Sequence, residues 1–209
     1  MIFRTACGEG GGWATEDTPY KGHGASVEDI QWSPTEAAVF ASCSVDQTVR
    51  IWDARKKSDS ALKVKAADCD VNVIAWNRRV PYLLASGDDQ GNLRVWDLRS
   101  IKGGEAVGDL GWHTEAITSV EWSPDQPSVI CASSADNQVT VWDMSVERDA
   151  EAEAQMAAEG IEIPDLPPQL IFIHQGQKDV KEVHWHPQCP GLLGSTAATG
   201  FNLFKTINS

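Results

Sequence analysis

The sequence has 209 residues, 42% of them hydrophobic, with 17 basic against 30 acidic side chains for a formal net charge of -13. That field repels phosphate, which excludes nucleic acid as the expected ligand and favours basic proteins as partners. No apolar run approaches the roughly 18 residues of a membrane span, and Met1 to Gly12 holds no sustained apolar stretch of a signal peptide.

After a glycine-rich lead-in, Gly8 to Gly12, the first patterned segment opens at Gly22-His23. Val27-Glu28-Asp29-Ile30-Gln31-Trp32 predicts a half-buried strand, and Ser33-Pro34 the turn after it. A second strand is expected over Val39 to Ser44, a tight turn at Val45-Asp46-Gln47, and a third strand over Thr48 to Asp53. The pattern recurs from Val71 to Asp97 and from His113 to Asp143. Trp-Asp pairs stand at Trp52-Asp53, Trp96-Asp97 and Trp142-Asp143, 44 and 46 residues apart, and Trp32, Trp76 and Trp122 each precede one by 20. A fourth copy has Trp185 but ends in Phe204-Lys205.

A repeat of this length and these residues resembles the WD40 family, whose blades each contain four strands. The expected fold is all-β: a WD40 β-propeller of about four blades of antiparallel four-stranded sheets. The chain divides into a lead-in and outer strand at 1–21, repeats at 22–55, 56–99 and 100–145, an acidic insertion at 146–168 and a degenerate repeat at 169–209. Four blades fall short of the usual seven. The preferred expectation is therefore the C-terminal part of a larger, seven-bladed ring, with a closed four-bladed ring and a dimer of half-rings as alternatives.

In that family a His, a Ser or Thr, an Asp and the Trp of the WD pair form a bracing tetrad. The resemblance implies His23, Ser42 or Ser44, Asp46 and Trp52 in the first repeat, and His113, Ser133 or Ser134, Asp136 and Trp142 in the third. In the second, Asp68 takes the His slot beside Asp89 and Trp96. In the fourth, His174 stands with Thr199 or Gly200 in place of Asp and Phe204 in place of Trp. A Ser-His-Asp trio that recurs beside an indole donor suits bracing better than nucleophile activation, and no GxSxG is present, so no enzyme activity is expected.

Ser26 to Pro34, Asp70 to Trp76, Val146 to Asp149 and Glu182 to Leu193 are similar to the glutamate-rich WD-repeat branch of the family. That resemblance implies a role in ribosome assembly, kinship with histone-binding WD40 proteins, and residence in the nucleus, with the nucleolus expected. It further implies partner-binding residues four positions before each mid-repeat Trp: Glu28, Asn72, Thr118 and Lys181. Two positions earlier lie Ser26, Asp70, Ala116 and Asp179, of which Asp70 is the second candidate carboxylate. The expected clients are ribosomal proteins or core histones. The insertion adds seven acidic residues (Glu147, Asp149, Glu151, Glu153, Glu159, Glu162 and Asp165) against Arg148. It is expected to be a loop with a short helix at Ala150 to Ala158, serving either client binding or solubility.

Arg55 and Arg99, in Trp-Asp-x-Arg, resemble the motif by which substrate receptors dock on the adaptor of cullin-type ubiquitin ligases. His184, His186 and Cys189 offer three metal-ligand types, but Pro187 bends the chain between them, so neither metal nor cofactor is expected. Basic clusters at Arg55-Lys56-Lys57 and Arg78-Arg79 are assigned to surface turns. The five cysteines, Cys7, Cys43, Cys69, Cys131 and Cys189, are odd in number and widely spaced, which predicts free thiols and a reducing compartment.

Overall fold

The computed structural model describes residues 5–7, 13–15, 19–56, 59–149 and 166–206. A short hairpin, β1 (Thr5–Cys7) with β2 (Trp13–Thr15), precedes four antiparallel sheets. The first is β3 (Val27–Trp32), β4 (Val39–Ser44), β5 (Thr48–Asp53) and β6 (Leu62–Lys65). The second is β7 (Val71–Trp76), β8 (Leu83–Asp88), β9 (Asn92–Asp97) and β10 (Gly108–Gly111). The third is β11 (Ile117–Trp122), β12 (Val129–Ser134), β13 (Val139–Asp143) and β14 (Leu170–His174). The fourth has three strands among the described residues, β15 (Val180–Trp185), β16 (Leu192–Ala197) and β17 (Gly200–Lys205). The sheets are offset from the sequence repeats by one strand: β6, β10 and β14 each pair with the sheet before, although each precedes the first strand of the next.

The first strands pack on one another in succession, β3 on β7, β7 on β11 and β11 on β15, which makes them the inner edge of an arc of blades. The core lies between sheets. Val49 and Ile51 of the first meet Val71, Ile74 and Trp76 of the second. Leu93 and Val95 meet Ile117, Val120 and Trp122. Val139 and Val141 meet Val180, Val183 and Trp185. The tight turns after the second strands place Gln47, Gly91 and Asn137 at positive φ. At Gly91 a Cβ would also lie 2.5 Å from the His113 carbonyl oxygen, so the turn and the approach of the third blade both demand glycine.

One turn device is built from three residue types. The residue after each mid-repeat Trp accepts main-chain N–H bonds from the turn that follows: Ser33 from Glu36, Asn77 from Arg79 and Val80, Ser123 from Gln126. In the fourth sheet His186 does the same, its Nδ1 accepting from Gln188 at 3.1 Å and Cys189 at 3.0 Å. His186 Nδ1 is thus taken up by the turn, and no cluster of metal-ligating side chains occurs among the described residues. Residues 150–158, where a short helix is expected, lie outside the described residues, as does most of the acidic insertion.

Candidate partner-binding face

In the first sheet the bracing network is a single chain of hydrogen bonds. Trp52 Nε1–H can only donate and the Asp46 carboxylate can only accept, so the order is fixed. The indole donates to Ser42 Oγ (2.8 Å), the Ser42 hydroxyl to His23 Nε2 (2.7 Å), and His23 Nδ1–H to Asp46 Oδ2 (2.9 Å). Ser44 instead accepts the Asp46 amide. Burial pushes the His23 ring below its ordinary value, against the pull of Asp46, so the neutral tautomer that this chain needs is the stable one. Burial works against the Asp46 charge, but donors from Thr48, the Gly24 amide and His23 outweigh it and hold the carboxyl well below the usual range. Ser42 is fully buried, which gives it no access to a substrate.

The third sheet has the same chain with one substitution. His113 Nδ1–H donates to Asp136 (2.9 Å), but the hydroxyl between the ring and the Trp142 indole is Thr140, at 2.8 Å from each. Neither Ser133 nor Ser134 serves: Ser133 bonds Thr118 and Ser134 bonds the Glu115 carbonyl. Ala132 stands where the first sheet has Ser42, directly across from Thr140.

The second sheet corrects the expectation for Asp68 and Asp89. Trp96 Nε1–H donates to Ser86 (2.9 Å), but no histidine follows. The buried carboxylate is Asp88, at the end of β8, which accepts from the Gln90 and Asn92 amides, from Asn92 Nδ2, and from Arg94 Nη1 at 2.9 Å. Arg94 also reaches the Ala66 carbonyl, spanning the place of the missing ring. Asp89 lies in the exposed turn, where it accepts from Asn72 Nδ2 (2.8 Å), and Asp68 pairs at the surface with Lys65. In the fourth sheet Ser195, the counterpart of Ser42, donates to Gln177, a residue that the repeat pattern did not single out. His174 lies on β14, bonded to Asn202 and stacked on Phe204 at 4.0 Å.

The candidate contact residues share a geometry that the sequence alone did not disclose. In each inner strand the register against the second strand slips by one residue, between Val27 and Asp29, Val71 and Val73, Ile117 and Ser119, and Val180 and Glu182. The residues left out of the ladder are Glu28, Asn72, Thr118 and Lys181: all four are β-bulge residues near the start of the inner strands, at the same end of every blade. A bulge frees its residue from pairing and re-aims the side chain. The residues two positions earlier have a shared task as well, because the carbonyls of Ser26, Asp70, Ala116 and Asp179 accept N–H bonds from Val45, Asp89, Ala135 and Ala198. Their side chains are left out of that bond.

The four bulges are not equally available. Glu28 is exposed and makes no hydrogen bond or ion pair among the described residues. Asn72 donates to Asp89, which brings Asp70, Asn72 and Asp89 together and leaves the amide oxygen to accept. Thr118 is tied inward, to Ser133 at 2.8 Å and to the Val180 carbonyl at 3.4 Å. Lys181 is ion-paired with Asp179. The acidic side of this face is therefore on the first two blades.

Arg55 and Arg99 lie at the opposite end, where the third strands finish. Each forks onto the Asp two residues earlier: Arg55 Nε and Nη2 onto Asp53 (2.8 and 2.9 Å), Arg99 Nη2 onto Asp97 (2.6 Å), with Arg99 also stacked 3.6 Å over the Tyr82 ring. Hydrogen bonds from Arg55 bring Asp53 down to about 2. Cys43 and Cys131 are buried in β4 and β12, where burial pushes their thiols far up and removes their nucleophilicity.

Comparison with known proteins agrees with this architecture. The family model described as WD domain, G-beta repeat, matches residues 15–53, 60–97 and 104–143. The chain belongs to the WD40 family. The matches stop before the fourth sheet, whose Gln177, Ser195 and Phe204 replace the usual bracing set while the WD40 strand order is kept. The chain is 54% identical over 203 residues to the ribosome assembly protein rrb1 of Schizosaccharomyces pombe, covering 94% of this chain and 42% of that one. It is 55% identical over 197 residues to the glutamate-rich WD repeat-containing protein 1 of Dictyostelium discoideum, covering 94% and 41%. It is 29% identical to the histone-binding protein MSI1 of Saccharomyces cerevisiae, covering 83% and 36%. The chain thus spans about two fifths of the length of these relatives.

Proposed function

We propose that the chain is a non-enzymatic holder of basic protein segments in ribosome assembly or chromatin, working in the nucleus and nucleolus. The observation that carries this reading is the row of bulge residues, in which Glu28 is unpaired and Asp70, Asn72 and Asp89 gather on the neighbouring blade. Preset carboxylates on a rigid rim suit lysine and arginine side chains, and the Asn72 amide suits a client's main chain. The relatives' names support the setting: one is a ribosome assembly protein and another binds histones. The client is a ribosomal protein or a core histone, held until it joins its nucleic acid, and the acidic insertion from Glu147 to Asp165 adds to the attraction.

The test is binding of the purified chain to core histones and to ribosomal proteins at two salt concentrations. Binding is expected to weaken with salt, and by about tenfold with Glu28→Lys. Removing residues 147–165 should weaken it further. Lys181→Glu, which releases Asp179 and reverses a charge on the same rim, should strengthen it. Binding insensitive to salt and to both substitutions would sink the reading.

A second reading, as receptor for a cullin-type ligase adaptor, rests on Arg55 and Arg99, held rigid yet exposed at equivalent places on the opposite end. Arg55→Ala with Arg99→Ala should then abolish adaptor capture and leave client binding unchanged. Equal capture by both proteins would remove its basis.

A further inference from the structure

The residue two positions before the Trp of each WD pair differs from blade to blade: Arg50 in the first, Arg94 in the second, Thr140 in the third. Arg94 is well paired. Its Nη1 donates to the buried Asp88 carboxylate and to the Ala66 carbonyl (2.9 Å each), and its Nε lies 3.5 Å from Asp109. Arg50 is the more deeply buried of the two, 6% exposed, and has no such set of acceptors. Ser44 stands opposite Val27 where Asp88 stands opposite Val71, and Asp46 is taken up by His23 and Thr48. What remains for the guanidinium is the β5–β6 loop. Nη1 donates to Ser60 Oγ (3.2 Å) and to Asp59 Oδ1 (3.4 Å), and that carboxylate is 77% exposed. Arg50 Nε is the only buried side-chain nitrogen or oxygen without a hydrogen-bond partner among the described residues. A buried cation so weakly neutralised is destabilising, and its surroundings favour a stronger anion.

A preceding blade does not supply that anion at the joint where one is present. The partners of Arg94 come from its own sheet and from the segment leading into it, and the corresponding parts of the first blade are all described: Ser44, Gly22 and Asp59 to Lys65. Beside Arg94 the first two sheets leave an open groove of about 570 Å³, with Lys65, Ala67, Glu105 and Ala106 in its walls. Ser60 holds in the first blade the place of Ala106 in the second, two residues before the outer strand meets the third. The same place is thus open to solvent between complete neighbours.

We infer that Ser60 is a phosphorylation site and that Arg50 is the built-in receiver of its phosphate. Arg55, Lys56 and Lys57 precede Ser60 by five, four and three residues, a basic approach that suits a kinase with an acidic substrate groove. Ser60 Oγ attacks the γ-phosphorus of ATP, the bond to the bridging oxygen breaks, ADP leaves, and the hydroxyl proton passes to the kinase's base. The product brings close to two negative charges and three acceptor oxygens within reach of Arg50 Nη1. Asp59, being exposed, can turn to water, and Lys63, opposite Arg50 on β6, adds a second cation on the same face. The phosphate fastens the β5–β6 loop to the blade at the end away from the bulged rim, so the inference does not rest on the client-holding reading.

Two measurements on the full chain test it. Ser58 has the same basic neighbours, so the Ser58→Ala chain is treated with a basophilic serine kinase and magnesium ATP. Mass spectrometry is expected to map a phosphate to Ser60 that Ser60→Ala removes, and no phosphate there would overturn the inference. In a second chain phosphoserine is built in at position 60 during synthesis, and phosphorus NMR follows its second ionisation. The midpoint is expected at about pH 5 in the folded chain, against about pH 6 for the same chain unfolded in urea. Arg50→Gln should remove most of the difference, while the urea reference needs no variant to fold. Equal midpoints in the folded and unfolded chains, or a difference that Arg50→Gln leaves unchanged, would overturn the inference as well.

Discussion

In the first sheet the hydroxyl between histidine and indole is Ser42 on β4; in the third it is Thr140 on β13, and Ala132 occupies the place of Ser42. The two positions face each other across the strand pair, Ser42 opposite Arg50 and Ala132 opposite Thr140. Either strand can project a hydroxyl into the same gap. What the blade requires is an ordered run of donor and acceptor from indole to carboxylate, and not a given residue at a given place. The second sheet, with Arg94 and Asp88, and the fourth, with Gln177 and Ser195, satisfy their buried polar atoms by other means.

The comparison can be broken most forcefully at the indole. Trp142→Ala should cost about 3–5 kcal/mol in chemical denaturation, and Trp52→Ala a similar amount, because each leaves a cavity and strands a buried hydroxyl. Phe204→Ala, at a partly exposed site without a polar bond to lose, should cost clearly less.

A smaller effect sharpens it. Thr140→Val keeps the volume but strands His113 Nε2 and the Trp142 indole, at about 1–3 kcal/mol. Adding Ala132→Ser rebuilds the arrangement of the first sheet in the third and should recover most of the loss. A double variant no more stable than the single one would show that the two strands are not interchangeable.

The smallest effect is on pH dependence. Burial lowers the pKa of His23 and His113 below 6.5, with Asp46 opposing it at the first and Asp136 at the second, and Arg50 and Lys63 adding to it at the first. The unfolded chain therefore takes up these protons first. Stability is full above about pH 6.5 and falls as pH drops below it toward the lowered native values. His113→Gln should flatten the denaturation midpoint between pH 7 and pH 5, and unchanged steepness would show that this ring contributes nothing.

The strand pattern and blade count were legible because Trp32, Trp76 and Trp122 recur at 44 and 46 residues and Trp185 resumes the pattern after the acidic insertion, a signal that survives any detail of pairing. Thr140 and Asp88 were not, since a side chain's place in a network depends on which residue faces it across the ladder, and one position along a strand reverses its direction. Asp89 was nearer in sequence to the expected spacing, yet it falls in the turn and points to water. The bulges did leave a trace. Val71 and Ile74, Ile117 and Val120, and Val180 and Val183 are all buried three residues apart, in strands where burial on one face should recur every two. An odd interval inside a strand signals the extra residue, and its repetition in successive copies could have located Asn72, Thr118 and Lys181 without any resemblance.

Those bulges also separate two kinds of constraint. The residue before each is Val27, Val71, Ile117 or Val180, an aliphatic anchor every time, whereas the bulged residues are an acid, an amide, an alcohol and an amine. Three of the four side chains lie outside the bonds that join the blades, so selection can rewrite the rim one position at a time while the scaffold keeps its stability. A surface organised this way can be retuned to a new client by single substitutions, without passing through unfolded intermediates.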